Sequence, residues 1–168
     1  MDLPDDLEPG AILEALDRHG VAYMVIGGLA AQLHGARIER TLDVDITPSR
    51  DRENLVRLSA ALRELHSRLR PPGAEDGADV DLDERLFRNI ISVALITPHG
   101  PLDVALIPDG TTGYEGLVRN RIVVHEFGIA VPVAGLEDII HSKEAAGRPK
   151  DILHLPILRE RLLELRRR

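Results

Sequence analysis

The sequence predicts an α/β domain with a mixed, largely antiparallel sheet, helices packed on one side and a small helical C-terminal portion. Three observations support this fold class. A nearly continuous apolar run ends at a glycine pair and leads into a helix, two later apolar runs are joined by Pro-His-Gly-Pro, and two helical patterns close the chain. The first is typical of a strand covered on both faces, and the second predicts a hairpin of antiparallel strands.

The elements of the first half follow from apolar spacing and from the residues that end each pattern. Leu42, Val44 and Ile46 alternate with acidic residues and are expected to face the core from one strand. Ser49 is predicted to cap the next helix. The predicted elements are, in order, a helix through 12–16 that ends at Gly20, a strand at 21–26, a helix at 29–34, a strand at 42–46 and a helix whose apolar stripe runs from Leu55 to Leu69.

The second half begins with a stretch rich in proline, glycine and acids, which predicts a loop at 71–83. Four strands and two helices follow it, at 90–97, 102–107, 121–127, 129–133, 136–146 and 152–165. No repeat or linker divides the pattern. We therefore expect a single domain over residues 1–168, with a core at 1–134 and the helical portion at 135–168.

Composition excludes several classes of function. The 168 residues carry no cysteine, which excludes disulfides, thiol catalysis and thiolate metal sites. A net charge of −7 and only four aromatic residues argue against a uniformly basic or base-stacking nucleic-acid surface. No apolar run approaches the length of a membrane span, and the first residues lack the pattern of a signal peptide, so a cytoplasmic protein without membrane partners is expected.

Two carboxylates in the second predicted strand are the first chemical signal. Asp43 and Asp45 stand at i and i+2, so in a strand both side chains leave the same face, roughly 6.6 Å apart along the chain. Adjacent acids repel unless a cation lies between them, and magnesium prefers oxygen ligands together with substrate phosphates. The alternative is a solvated outer face of an edge strand.

The residues before these acids favour the cation. Gly27 and Gly28 end the preceding strand, where glycines let a phosphate approach backbone amides and the following helix adds its positive end. Arg40 and Thr41 stand between the glycines and the acids and are suited to contact a triphosphate. A third acid, Asp103, interrupts an otherwise apolar strand, and the three carboxylates converge if the two strands are neighbours.

The run from Gly27-Gly28 through His34-Gly35 to Arg40-Thr41-Leu42-Asp43-Val44-Asp45 resembles the motif of the DNA-polymerase-β-like nucleotidyltransferase superfamily. More narrowly, the chain resembles the minimal nucleotidyltransferases of the AbiEii/MenT toxin group, whose later motif matches Lys143, Arg148, Lys150 and Asp151. The resemblance covers about residues 20 to 155. Two departures are the short chain and His154, which stands where a further acid is expected.

The resemblance implies a nucleotidyltransferase fold and a set of roles. Asp43, Asp45 and Asp103 would bind two magnesium ions, or manganese in their place, and Asp103 would complete the catalytic site. Lys143 would be catalytic through its contact with phosphates. The expected nucleotide-binding residues are Gly27, Gly28, Arg40, Thr41, Arg148 and Asp151.

The function implied is transfer of a nucleotide from an NTP to an acceptor, which in the toxin group is the 3′ end of tRNA, with a cognate antitoxin as a further partner. The alternatives are nucleotidylation of a small hydroxylated compound such as an aminoglycoside, or a non-catalytic binding module or antitoxin. From the residues alone, Lys143 also fits an exposed helix lysine, and Asp151 fits an acid at a helix N-terminus.

Two other charged segments are not assigned to the site. Asp79-Val80-Asp81 repeats the acidic alternation without a glycine turn before it, so it is predicted to be a solvated loop. The C-terminal arginines, from Arg159 to Arg168, are expected to complement a helix C-terminus, with contact to RNA phosphates as the alternative.

Overall fold

The computed structural model describes residues 6–73 and 77–168. The helices in these ranges are α1 Pro9–Arg18, α2 Gly27–Leu33, α3 Arg52–Glu64, α4 Glu84–Arg88, α5 Tyr114–Leu117, α6 Leu136–Ala146 and α7 Pro149–Arg166. The strands are β1 Tyr23–Ile26, β2 Val44–Pro48, β3 Arg68–Leu69, β4 Ser92–Thr97, β5 Gly100–Ala105, β6 Ile122–Glu126 and β7 Ile129–Val133.

The described strands form one sheet in the order β3-β4-β5-β2-β1-β7-β6. Strand β5 runs parallel to β2, and β7 runs parallel to β1. The other four neighbouring pairs are antiparallel. The predicted mixed, largely antiparallel sheet is therefore confirmed, including the β4–β5 hairpin.

One face of the central strands is part of the hydrophobic core. Val44 and Ile46 of β2 and Leu102 and Val104 of β5 are completely buried there. Helices α1 and α3 contribute their leucines to the same core cluster. Since side chains alternate along a strand, Asp45 and Asp103 lie on the opposite face of the sheet.

Strand β2 begins later than the alternation predicts. Leu42 lies in a bend before β2 and is 75% exposed, so the prediction that it faces the core is wrong. Asp43 also precedes the strand. On the side of β1 the pairing ends opposite Asp45, so β1 offers no strand neighbour to Leu42.

Helix α3 is shorter than its leucine pattern. It begins after Asp51 and ends at Glu64, followed by His66 with φ of 49°. Leu69 therefore belongs to β3, where it pairs with Leu95, and the helical prediction for Leu69 is wrong. Ser49 is not the cap, because Asp51 occupies the N-cap position, while the backbone amide of Ser49 donates to the Ala22 carbonyl and extends the β1–β2 pairing.

The short helices α4 and α5 were not predicted from the sequence. Helix α4 starts at an Asp83 side chain that accepts from the backbone amides of Arg85 and Leu86. Helix α5 is a single turn, too short for a 3.6-residue period to be recognised. Helix α7 begins at Pro149, three residues before the apolar pattern, since proline fits the first turn of a helix. Part of the predicted loop, residues 74–76, lies outside the described residues.

Candidate active site

The three acids converge on the face of the sheet opposite the core. Asp45 in β2 is directly opposite Asp103 in the parallel strand β5. Asp43, in the bend before β2, adds a third carboxylate, and one oxygen of each residue lies within 4.8 Å of the others. This spacing allows one cation to contact all three side chains.

The glycine turn lies against this cluster. Ile26, the last residue of β1, is opposite Asp45, so the chain enters α2 beside the carboxylates. Gly27 has φ of +67°, and a Cβ atom there would be 2.2 Å from Oδ2 of Asp45. Only a glycine fits this conformation and this contact. The turn therefore brings backbone against the acids without a side chain between them.

Thr41 fixes the segment that leads to the first acid. Its hydroxyl is positioned to donate to the backbone carbonyl of Asp43 at 3.0 Å and to Oδ1 of Asp43 at 3.3 Å. The side chain is buried, and a Cβ at Gly28 would lie 3.1 Å from its Oγ1. Thr41 thus contacts the glycine turn and orients the Asp43 carboxylate.

The cluster is under electrostatic strain. Burial, followed by the charges of Asp43 and Asp103, raises the pKa of Asp45 to about 8. Burial and the charge of Asp43 raise the pKa of Asp103 to about 6, although Arg70 acts in the opposite direction. A hard divalent cation would remove this repulsion, and carboxylate oxygens are the ligands that magnesium prefers. The donor set therefore fits such a cation.

The predicted residues of the C-terminal motif form a second cluster. Nζ of Lys143 lies 3.3 Å from Oδ1 of Asp151, and Nε of Arg148 lies 2.8 Å from its Oδ2. Asp151 is 2% exposed, and as the third residue of α7 its side chain also accepts from the backbone amide of Arg148, the N-cap residue of that helix. Burial raises the pKa of Asp151, but Arg148 and Lys143 outweigh it and hold that pKa below its ordinary value.

Both clusters line one cavity of about 500 Å³. Asp43, Asp45, Asp103, Gly27, Gly28, Thr41, Lys143, Arg148 and Asp151 all contribute to its wall. Arg40 does not belong to this lining. Its guanidinium is 2.9 Å from the Asp6 carboxylate, and both side chains are exposed. The structure thus brings together all of the sequence-predicted site residues except Arg40.

Two further residues of the lining were not assigned a role from the sequence. His154 is 3% exposed, and its Nε2 lies 3.0 Å from Oε1 of Glu39 in the loop before β2. The available signal was the spacing, since a residue three positions after Asp151 shares its face of α7.

Arg70 is a third residue that sequence reasoning missed. It lies just beyond β3, where its backbone amide donates to Ala94, the partner of Asp103 in β4. Asp45, Asp103, Ala94 and Arg70 therefore form one row across four strand positions. Nothing in the sequence around Arg70 indicates this register.

The two charged segments that were not assigned to the site form ion pairs within the chain. Asp79 lies 3.1 Å from Arg68 and is exposed. In the C-terminal helix, Arg159 pairs with Glu144, Arg161 with Glu164, and Arg166 with Glu137.

Within the described part of the chain, no helix has the length and hydrophobicity to cross a membrane.

Comparisons with known proteins give matches in structure and none in sequence. No protein-family model matches the chain, and no curated protein matches it. The lincosamide antibiotic adenylyltransferase LnuA, solved with lincomycin, superposes with a TM-score of 0.61 at 13% identity, covering 92% of this chain and 98% of LnuA.

Two more structures are similar. The antibiotic-resistance factor ANT(2″)-Ia has a TM-score of 0.54 at 18% identity, covering 92% of this chain and 80% of that protein. A candidate nucleotidyltransferase from Thermotoga maritima has a TM-score of 0.52 at 20% identity, covering 91% of this chain and 89% of its own. At these identities the likeness concerns the fold. The chain has the nucleotidyltransferase fold.

Proposed function

We propose that this protein is a metal-dependent nucleotidyltransferase of the cytoplasm, which transfers a nucleotide from an NTP to a hydroxyl group of an acceptor. The observation that carries the proposal is the convergence of Asp43, Asp45 and Asp103 within 4.8 Å beside the Gly27 turn. Burial and the charges of neighbouring carboxylates raise the pKa values of Asp45 and Asp103, so the cluster costs stability without a cation. A non-catalytic binding module would gain nothing from a carboxylate cluster that lowers the stability of the fold.

The three carboxylates are the ligands for the metal, with two magnesium ions as the expected occupancy and manganese as a substitute. When bound, such ions stabilise the charge that develops on the attacking and leaving oxygens during in-line nucleotidyl transfer. Asp103 lies in β5, between Asp45 of β2 and Ala94 of β4, and lines the cavity wall. Its carboxylate is therefore suited to take the proton of the acceptor hydroxyl.

The cationic side chains of α6 and α7 are suited to hold the phosphates. Lys143 is 11% exposed, and Asp151 orients its ammonium group at the cavity wall. Arg148 is 74% exposed, lines the same wall and acts electrostatically on Asp45. An ammonium point charge and a planar guanidinium fork are both common phosphate ligands. Gly28 and Thr41 complete the nucleotide-binding side.

A small hydroxylated compound is the acceptor that the structure favours. LnuA was solved with lincomycin, and ANT(2″)-Ia with adenylyl-2″-tobramycin, so two proteins of the same fold bind small antibiotics. Three of the C-terminal arginines that would contact RNA, namely Arg159, Arg161 and Arg166, are paired with Glu144, Glu164 and Glu137. The 3′ end of tRNA, with a toxin role and a cognate antitoxin, is the second candidate and is supported by the sequence resemblance.

The test is incubation of the purified protein with each α-labelled NTP and magnesium, together with either total RNA or a panel of aminoglycosides and lincosamides. We expect label on a compound of the panel. Label on RNA would select the tRNA candidate. The variant Asp45→Asn is the control for contaminating activity, and absence of label from both acceptors with every NTP would contradict nucleotidyl transfer.

A further inference from the structure

One wall of the cavity carries no charge and takes no part in the proposed binding of metal and phosphates. It is formed by the beginning of β4 and the end of β5, together with residues that flank these strands. We call it the uncharged wall, and its lining residues include Ile91, Ser92, Ala94, Ala105, Ile107 and Pro108. A predominantly apolar surface with a few polar groups at one end is typical of pockets that bind small molecules.

The uncharged wall begins directly beside Asp103. Ala94 is the partner of Asp103 in the β4–β5 pairing, and Ser92 is the partner of Ala105 two residues farther along. Since residues two apart in a strand share a face, all of these side chains lie on the face that carries the carboxylates. Cross-strand neighbours are about 4.5–5.5 Å apart, and alanine and serine fill little of the space above the sheet. A ligand can therefore lie on this surface with one of its atoms next to Asp103.

Two isoleucines lie at the far end of this surface. The amide of Leu106 donates to the carbonyl of Ile91 at 2.7 Å, so the strand pairing continues beyond Ser92 and brings Ile91 close to Ile107. Ile91 is 66% exposed and Ile107 is 37% exposed, and both line the cavity. Because removal of apolar surface from water is favourable, an apolar group of a ligand would gain affinity by covering these side chains.

The charges around the uncharged wall do not favour a ligand with several positive charges. Although burial raises the pKa of Asp103, the charge of Arg70 acts on it in the opposite direction, so a cationic group lies on the β3 side of the wall. Asp109 follows the wall in sequence, but its charge, after the hydrogen bond of Asp151, raises the pKa of Arg148 on the phosphate-binding side. An ammonium group on this wall would therefore meet only Asp103, which is a metal-ligand candidate.

We propose that the uncharged wall binds the acceptor, and that the acceptor is a neutral alcohol with an apolar group. Its hydroxyl lies at Asp103, and its apolar group covers Ile91 and Ile107. The inference rests on the proposed nucleotidyl transfer and names the class of its acceptor. In that transfer, the hydroxyl oxygen bonds to the α-phosphorus of the NTP, its proton passes to Asp103, and pyrophosphate leaves with the electron pair of the bond that breaks.

The experiment uses a homologous series of neutral alcohols, namely methyl, butyl and hexyl β-D-glucoside, and the polycationic alcohol neamine. Their affinities are measured by calorimetry in magnesium, with and without ATP that carries a non-transferable α,β-methylene bridge. The NMR signals of ¹³C-labelled isoleucine methyl groups report where the glucosides bind.

Three variants change the uncharged wall. Ile91→Ser and Ile107→Ser remove apolar surface from its far end, and Ala94→Leu fills the space beside Asp103 from an exposed position. Ile122→Ser is the matched control, since Ile122 is 38% exposed on β6 and does not line this cavity.

We expect the wild type to bind hexyl glucoside more tightly than methyl glucoside, by about fourfold for each methylene that becomes buried, and to bind neamine most weakly. The methyl signals of Ile91 and Ile107 should shift. The two serine variants should flatten the dependence on chain length. Ala94→Leu should weaken every glucoside by about tenfold or more without changing the binding of the nucleotide, and Ile122→Ser should match the wild type.

An affinity that does not depend on chain length, shifts at other isoleucines only, or tighter binding of neamine than of hexyl glucoside would overturn the inference and leave the proposed function intact. Label on RNA in the transfer assay would overturn it as well. A wild type that transfers no label from any NTP would contradict the proposed function and the inference with it.

Discussion

A Cβ atom at Gly27 would lie 2.2 Å from Oδ2 of Asp45, so the glycine turn and the metal-ligand candidate are in direct steric contact. Gly27→Ala should therefore displace the Asp45 carboxylate. A displacement of about 1 Å at a reacting group costs about 10²-fold in rate, and we expect kcat/KM to fall by at least that factor.

Gly128→Ala provides the control for backbone strain. Gly128 has φ of +74°, and a Cβ there would meet nothing within 4 Å. Both variants should lose about 1–2 kcal/mol of stability from the left-handed conformation, but only Gly27→Ala should lose activity. Equal activity of the two variants would show that the contact with Asp45 has no role.

The stability of the metal-free protein should depend on the protonation of Asp45. Its pKa is about 8 in the folded chain and about 3.9 in an unfolded one. Because the folded pKa is the higher one, the favourable contribution is complete below pH ~4 and disappears as the pH rises toward 8. Asp103, with a folded pKa of about 6, adds to the effect at the acidic end.

Thermal unfolding in EDTA between pH 5 and 9 measures this dependence. The melting temperature of the wild type should fall as the pH rises. The free energy of unfolding decreases by at most about 1.4 kcal/mol per pH unit for each proton released. Asp45→Asn has no titrating group at position 45, so its melting temperature should depend less on pH. The exposed Asp79→Asn should behave like the wild type, and a parallel curve for Asp45→Asn would refute the assignment of the raised pKa.

Magnesium should reverse that pH dependence. The cation binds deprotonated carboxylates, so its apparent affinity should increase from pH 6 to 8 as the protons leave. At a concentration of 100 times Kd, one bound ion stabilises the protein by about 2.7 kcal/mol. We expect a rise in melting temperature for the wild type and none for Asp43→Asn or Asp45→Asn. A similar rise in both variants would mean that the cation binds elsewhere.

Lys143 should contribute to turnover because it lines the cavity next to Asp151. Lys143→Ala is expected to reduce kcat/KM by about 10²-fold, as a charged donor aimed at phosphate charge is worth about 3 kcal/mol. Lys143→Arg should recover part of the activity, since its planar fork occupies a different position. Arg57→Ala, an exposed change on α3, is the control. Unchanged turnover in Lys143→Ala would show that Lys143 pairs with Asp151 but has no role in turnover.

Asp151 should be needed for stability as well as for the site. The side chain is 3% exposed, and its removal leaves the ammonium of Lys143, which is 11% exposed, without a counter-charge. Breaking a buried pair in this way costs about 3 kcal/mol or more. Urea unfolding of Asp151→Asn against the exposed Asp17→Asn measures the difference, and a loss below about 0.5 kcal/mol would contradict a buried pair.

The sequence by itself determined the local parts of the candidate site. Asp43 and Asp45 are close because they are two residues apart, and Gly27 ends a strand because only glycine tolerates its conformation there. Apolar runs joined by turn residues likewise predicted β4, β5 and the pair β6 and β7. In each case the decisive interaction lies within a few residues along the chain, so the pattern of the sequence contains it.

The tertiary structure decided which distant residues meet. Asp103 faces Asp45 only because β5 pairs in parallel with β2, and the register of that pairing depends on the packing of both strands in the core. Arg40 is a neighbour of Thr41 in sequence but pairs with Asp6, while His154 reaches Glu39 from 115 residues away. Side-chain direction in loops and contacts between elements are set by packing across the whole chain, which no local pattern encodes.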